Sequence, residues 1–395
     1  MKVLFVTHNY PRREGDYSGV FLHLLARKLT TFGIEIHVVA PHDIYSEEYE
    51  ELDGIKIHRF KYADSKHETL AYRGNMHRQL IANPFKSFTL MKFIRKATEK
   101  AIEVIEKESI KIASIHWVVP NCLIANRLNK HFGDKLKTTL HSHGTDARLI
   151  NKYYAVYLAA KPAMEKASAW TVVSTFIKRL IMERNIDIAD KIQIFPMPND
   201  ENLFFPDGDV GKMPNLIVAV SRLTKQKRLC HLIDAVKTVK ENIPDIKLKI
   251  YGSGPERANM KNYIKEQGLT DNIFVKSPIP QGELRTVYNR ASVVVLNSLN
   301  EGFGLILTEA MLCKTAVIGA DSGGIIDIID HEKTGLLIKP DDIPDLSKAI
   351  NRILTDDTLR KAMAEAGYWK AKAQFSSDSA AKRFAELYKS LEKGD

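Results

Sequence analysis

Ten short apolar runs, spread along the chain with helical patterns between them, constrain this sequence more than any other feature. In Ser292–Asn297 (SVVVLN) β-branched residues follow one another without the alternation of a one-faced strand. That pattern marks a strand covered on both sides, as in a parallel sheet. The first half carries KVLFVT, IEIHVVA, ASIHW, KTTLHS and AWTVVS; the second restarts with LIVAVS, IKLKIYG, NIFVKS, SVVVLN and TAVIGA. Helical stretches separate them, for instance Val20 to Phe32, whose end is marked by Gly33. The alternation predicts a doubly wound α/β architecture. Between the halves, FPMPNDENLFFPDG is rich in Pro, Asn and Asp and reads as an interdomain linker. A chain of 395 residues suits two such domains. A last helical pattern runs from Ser379 to Leu391.

Hydrophobic residues make up 44% of the chain, enough for real cores. The opening MKVLFVTHNYPRR has too short an apolar run for a signal peptide and reads as a first strand. No run approaches the length needed to cross a bilayer. Cys122, Cys230 and Cys313 lie far apart without CxxC pairing, which reads as reduced core thiols in the cytoplasm. The net charge of +10 is concentrated: Lys56 to Lys100 holds eleven Lys or Arg against Asp64, Glu68 and Glu99, a net +8. No recognition module accompanies that stretch, so nucleic acid is not the expected partner; an anionic membrane or a phosphate-bearing acceptor suits it better.

Directly behind SVVVLN comes EGFGLILTEAM, Glu301 to Met311. Strand, glycine turn and helix in that order leave free backbone N–H groups and a positive dipole end at the carboxyl edge of a sheet, where phosphorylated ligands bind. Glu301 falls in the turn and Glu309 one to two turns into the helix. Carboxylates beside an anion site suit the hydroxyls of a sugar or ribose. The whole string closely resembles the Glu-x7-Glu motif of the family-4 retaining glycosyltransferases. The resemblance runs over nearly the whole chain and is strongest from Asn215 to Asp342. It implies the GT-B fold, two Rossmann-like doubly wound parallel-sheet domains facing a central cleft. The expected limits are 1–205 for an N-terminal acceptor-binding domain, 206–372 for a nucleotide-sugar domain and 373–395 for a C-terminal helix crossing back to the first.

Departure of a nucleoside diphosphate needs cations. VSRLTKQK supplies Arg222, just past a strand, and Lys227 five residues on. A planar guanidinium grips two phosphate oxygens; an ammonium acts as a mobile point charge. Both match the Arg and Lys that the family keeps at this strand end. The one DxD, Asp207-Gly208-Asp209, lies beside Pro206 in the linker and reads as a turn, so the expectation is metal-independent activity with no cofactor. Gly302, Phe303, Gly304 and Leu305 are the expected donor contacts around the turn, with Gly19 of the first βα loop and Gly252 of the Tyr251–Gly254 turn. Ser322-Gly323-Gly324 resembles the family's GGxxE segment with Asp327 at the acidic place, and Gly324 is expected near the sugar.

In the first half, HSHGTD (His141 to Asp146) resembles the family's HGxD pattern, which assigns His143 and Asp146 to the sugar or the acceptor. His141 shares the strand face with His143, whereas His8, His23 and His116 read as structural. The family's front-side route needs no nucleophile: Glu301 orients the sugar, Glu309 the ribose, and Arg222, Lys227 and backbone amides the phosphates. A covalent intermediate on a carboxylate is the other route, and the sequence does not decide between them. The helical stretch Phe85 to Lys107 is amphipathic and basic, suiting either a membrane interface or an ordinary packed surface helix.

The resemblance thus implies a retaining transferase that moves a sugar from a UDP- or GDP-sugar to a saccharide or lipid-linked acceptor, in cell-surface polysaccharide or glycolipid synthesis. The setting would be cytoplasmic, peripheral on the inner membrane face; the oligomeric state is not readable. The rivals are a non-hydrolysing UDP-sugar epimerase of the same fold and a catalytically silent nucleotide-sugar-binding subunit. A dehydrogenase lacks support because the first βα loop has no GxGxxG.

Overall fold

The computed structural model describes the chain except for Glu14, Tyr17, residues 73–75, Asn185, Asp395 and the side chains of His77 and Ile186. Parts of the first βα loop and of the basic stretch therefore lie outside the described residues. The chain forms two compact units: Met1–Pro198 with Ser377–Asp395, and Asn199–Ser376. The change of unit falls at Pro198/Asn199, ahead of the expected 205/206. Asn199 is already tied to the second unit, donating from both its backbone and its side chain to the Phe375 carbonyl, and Phe204 packs beside Tyr288.

In the first unit the strands are β1 (Lys2–Val6), β2 (Glu35–Pro41), β3 (Tyr49–Leu52), β4 (Ile55–Phe60), β5 (Ile112–His116), β6 (Lys137–Ser142), β7 (Ala169–Val172) and β8 (Ile192–Ile194). They form one sheet in the order β3-β4-β2-β1-β5-β6-β7-β8, parallel except for the β3–β4 hairpin. The core strands are buried along almost their whole length, which is why their sequences do not alternate. The helix Ser377–Lys393 closes this unit: Ala380, Ala381, Phe384, Ala385, Leu387 and Tyr388 pack with Val3, Phe5, Ile36 and Ile112 in one core.

The second unit contains β9 (Leu216–Val220), β10 (Lys247–Tyr251), β11 (Ile273–Lys276), β12 (Val293–Leu296), β13 (Ala316–Ala320) and β14 (Leu336–Ile338). Its sheet is wholly parallel, in the order β11-β10-β9-β12-β13-β14. In both sheets the order reverses beside the first strand, between β1 and β5 and between β9 and β12. The carboxyl ends of strands at such a reversal are where doubly wound sheets hold ligands.

The basic stretch differs from its charge count. Lys56 pairs with Glu35, Lys61 with Glu48, buried Arg59 with Glu50, and Lys100 with Glu103, each at 2.6–2.7 Å. These acids lie outside residues 56–100, so folding neutralises much of the excess. The long helix here, Lys86–Glu108, buries Phe93, Ile94, Ala97, Ala101 and Ile105, whereas Phe85 and Phe88 are 79% and 63% exposed. The cysteines are free; Cys122 and Cys313 are buried, but Cys230 is exposed rather than a core thiol. Among the described residues no helix is long and apolar enough to cross a membrane.

Candidate functional site

Behind β9 and β10 the backbones keep pairing beyond the strand ends. Ser221 N–H donates to the Tyr251 carbonyl and Leu223 N–H to that of Ser253. Gly252 permits this approach: a Cβ there would lie 1.9 Å from the Ser221 carbonyl oxygen, and its φ is +156°. The loop that carries Arg222 is therefore fixed while its side chain is exposed. Among the described residues the Arg222 guanidinium has no recorded hydrogen bond or ion pair.

Five residues on, the Thr224–Arg228 turn is stitched to the loop after β12. Leu299 N–H donates to the Gln226 carbonyl, and the Gln226 side chain donates back to the Leu299 carbonyl. Lys227 Nζ thereby reaches Glu301 Oε2 at 2.5 Å, with both side chains mostly shielded from water. The loop after β13 braces the same place. Ser322 Oγ accepts from Asn300 N–H, and Gly324 N–H donates to the Glu301 carbonyl at 2.8 Å. Gly323, with φ +65°, could not be another residue, since a Cβ would stand 2.4 Å from the Glu301 backbone N and O. Three loops thus converge on Glu301, beside the start of the helix Leu305–Leu312, whose N-cap is Gly304. The helix's first amides and the Lys227 ammonium make this edge a setting for an anion.

The remaining expected donor contacts divide. Gly302 and Leu305 flank the turn at the helix start. Phe303 is buried edge-on against Phe375, which makes it part of the packing under the turn. Gly324 commits its N–H to Glu301 as described. Glu309 is buried and accepts the Tyr288 hydroxyl at 2.8 Å. Desolvation pushes its carboxyl up to about 7, against opposing hydrogen bonds from Tyr288 and Gln281. Tyr288 was not legible as a site residue; nothing in YNRASV marks it before the helices pack.

In the first unit, neighbouring parallel strands β1, β5 and β6 each present a histidine at the carboxyl end: His8, His116 and His143. The His143 ring stacks near that of His116, centroids 5.6 Å apart, and contacts Trp117 at 4.6 Å and Phe21 at 5.0 Å. His143 Nε2 lies 3.3 Å from His116 Nδ1, and its buried Nδ1 has no hydrogen-bond partner among the described residues. Burial brings His143 down to about 3 and His8 to about 4, and holds His116 well below its ordinary value, so all three rings are neutral near pH 7. His116, which the sequence suggests is structural, is fully buried, and its ring lies between His143 and Ser114. In the sheet His116 is in register with His141 across β5 and β6. His141 itself is buried inside the sheet.

Asp146 does not present a free carboxylate. Its oxygens accept from Val118, His143 and Gly144 N–H at 2.9–3.1 Å, so it shapes the loop around His143 from beneath. Gly19 caps the helix Val20–Thr30, and the backbone of Asn9 and Tyr10 passes so close that a Cβ on Gly19 would stand 2.5 Å from the Asn9 carbonyl oxygen.

The Asp207-Gly208-Asp209 turn closes on itself: Asp209 N–H donates to the Asp207 side chain, and Arg285 lies 3.5 Å from the other Asp207 oxygen. A different group, Glu35, His37 and Glu108, brings possible metal-ligating atoms within 4.8 Å of one another. Lys56 and Lys2 already pair with these two carboxylates at 2.7 Å, and Glu35 begins β2 at the amino end of the sheet, away from His143.

Residues 200–370 match the model of glycosyl transferases group 1, and residues 18–202 that of glycosyltransferase family 4. N-acetyl-alpha-D-glucosaminyl L-malate synthase of Bacillus anthracis is 23% identical over 320 residues, covering 78% of this chain and 82% of that one. GDP-mannose-dependent alpha-(1-6)-phosphatidylinositol monomannoside mannosyltransferase of Mycolicibacterium smegmatis is 23% identical over 98% of this chain and 97% of its own. The Anabaena HepE structure, solved with UDP and glucose, superposes with a TM-score of 0.71 at 18% identity over 99% of this chain and 100% of that one.

Proposed function

Because this chain belongs to the family-4 glycosyltransferases and has the GT-B fold, we propose that it is a retaining, metal-independent enzyme that moves a sugar from a UDP- or GDP-sugar to a saccharide or lipid-linked acceptor. One observation carries the reading: exposed Arg222 stands at the strand-order reversal of the second unit, on the edge where Lys227 meets Glu301 beside an open helix start. Two cations and a row of amides suit the two phosphates of a nucleoside diphosphate. UDP bound to HepE and the GDP-mannose dependence of the mycobacterial relative support a nucleotide-sugar as donor.

In the reaction the anomeric C–O bond to the diphosphate breaks and a bond forms from C1 to the acceptor oxygen. Arg222 and Lys227 stabilise the charge gathering on the departing phosphate, and the diphosphate oxygen takes the acceptor's proton. Glu301, held by Lys227, accepts hydrogen bonds from the sugar hydroxyls rather than attacking C1. Glu309 faces the ribose side, and His143 meets the sugar or the acceptor. Cations of the protein do the work that a metal does elsewhere, so neither a metal nor another cofactor is needed.

A lipid-borne acceptor is supported by the surface around the start of the helix Lys86–Glu108. Ile81, Phe85, Phe88 and Met91 are each more than three-fifths exposed, beside exposed Arg78, Lys92 and Arg95. Apolar rings edged by cations suit an anionic membrane face, here the inner face of the cytoplasmic membrane. Flotation with anionic vesicles should carry the protein upward, and F85S/F88S should leave it at the bottom.

The deciding assay is sugar transfer in EDTA, following release of UDP or GDP and the anomeric configuration of the product by NMR. Acceptor-dependent release with retention is expected. Inversion, or a need for added Mg²⁺ or Mn²⁺, would overturn the mechanism; epimerised nucleotide-sugar without an acceptor would return the chain to the epimerase reading.

A further inference from the structure

A continuous line of polar groups runs inward from His143 to the terminal helix. His143 Nε2 lies 3.3 Å from His116 Nδ1, and His116 Nε2 3.2 Å from Ser114 Oγ. Ser114 Oγ also meets His141 Nε2 at 2.6 Å and, on the helix Ser377–Lys393, Tyr388 OH at 2.8 Å. His141 is further bound by Thr139 at 2.8 Å and Thr171 at 2.6 Å. Ser114, His116, His141 and Tyr388 are all buried. From this geometry we infer that Ser114 is a positioning residue whose single proton, committed away from His116, fixes His143 as the tautomer with a bare Nδ1.

Each imidazole is neutral, for burial holds His116 and His141 well below the usual range and His143 down to about 3, so each has one N–H and one bare nitrogen. Ser114 has one O–H and three partners. Hydroxyl donors sit closest, about 2.7–2.8 Å from an oxygen acceptor, and N–H donors somewhat farther, mostly about 2.9–3.0 Å and out to about 3.2 Å. The 3.2 Å contact is therefore His116 Nε2–H donating to Ser114, whose own proton goes to one of the nearer partners, His141 or Tyr388. His116 Nδ1 is then bare and accepts His143 Nε2–H. What remains is His143 Nδ1, bare and buried with no partner among the described residues. A buried unpaired acceptor is tolerated more readily than an unpaired N–H. If Ser114 instead donated to His116, both rings would switch and His143 would offer an N–H.

The consequence rests on the reading that His143 faces a sugar. Once a ligand displaces what covers it, a bare Nδ1 accepts a hydroxyl hydrogen and selects a ligand that presents O–H at that point, whereas the other tautomer would call for an ether or carbonyl oxygen. Ser114, which touches no substrate, thus chooses between two kinds of ligand contact.

The tautomer itself can be read without substrate. Imidazole ¹⁵N-labelled full-length protein at neutral pH should show His143 with its proton on Nε2. In Ser114→Ala, His116 loses the partner that orders it, and a mixture of His143 tautomers should appear, with kcat about fivefold lower and donor KM within about twofold, the scale of one neutral hydrogen bond. Phe384→Leu, which loosens the same packing while keeping every hydroxyl, should retain the wild-type tautomer. A wild-type His143 protonated on Nδ1 overturns the inference whatever the variants do, as does an unchanged tautomer in folded Ser114→Ala. Undiminished transfer by His143→Ala would instead remove His143 from the sugar contact and leave the tautomer result standing.

Discussion

Where β9 and β12 diverge, the second unit exposes Arg222 and seats Lys227 against Glu301. At the equivalent divergence of β1 and β5, the first unit stacks neutral rings: His8, His116 and His143, with Trp117 and Phe21 around them. The strand order that makes the edge is shared; the chemistry placed on it is opposite. One edge is charged and suits an anion, while the other is aromatic with single hydrogen-bond valences and suits a polyol. Topology locates a site, and only the side chains say what it takes.

Acid should separate the two most strongly. Below pH 6.5 an unfolded histidine takes a proton that buried His8, His116, His141 and His143 refuse, so the first unit loses stability as pH falls. The loss is up to about 1.4 kcal/mol per pH unit for each ring, running down to about pH 4. Fluorescence of buried Trp170 reports this unit and should show its denaturant midpoint dropping between pH 6.5 and 5. A flat midpoint would mean that the rings are not the neutral stack described.

Next in size is the contrast in catalysis. Lys227→Ala should lower kcat/KM by about 10²–10³-fold, the effect of removing one preorganised charge stabiliser. His143→Ala should cost about tenfold, as for a neutral hydrogen bond. Equal losses would erase the distinction between the edges.

The second unit has its own pH response, of opposite sign. An unfolded Glu309 releases its proton near 4.5, the folded one only near 7, so its contribution is intact below pH 4.5 and lost as pH rises through 7. Glu309→Gln should therefore melt higher than the parent at pH 8 and by much less at pH 5, a difference of at most about 3 kcal/mol. A constant offset would show that Glu309 is not held in an apolar setting. The smallest effect is of salt: going from about 50 to 500 mM should weaken nucleoside diphosphate binding a few-fold by screening and leave the His143 tautomer unchanged.

Most strands were legible because a buried parallel strand advertises itself as an unbroken apolar run; KTTLHS coincides with β6 from end to end. The β3–β4 hairpin escaped because its pattern, YEELDGIKIHRF, alternates with charge and was absorbed into a count of basic residues. Its Asp53-Gly54 turn, with φ of +52° and +76°, was the available signal. The short β14 carries only three residues and no such mark. At the candidate site, Arg222, Lys227 and Glu301 could be named because the short strings that carry them resemble the family's motifs. Residues that act through distant partners could not. Tyr288 meets Glu309 only once two helices pack, and Ser114 meets Tyr388 across 274 positions of chain.

That last separation has a consequence for how the protein is made. The helix Ser377–Lys393 leaves the ribosome after all of Asn199–Ser376, yet it covers the sheet face formed by Val3, Phe5, Ile36 and Ile112. At about 5–20 residues per second the nascent first unit must wait roughly 10–35 s with that face bare. During this interval it is a client for chaperones and open to proteases. A nascent chain stalled before residue 377 should be cleaved readily within its first 198 residues, and release of the finished chain should protect them.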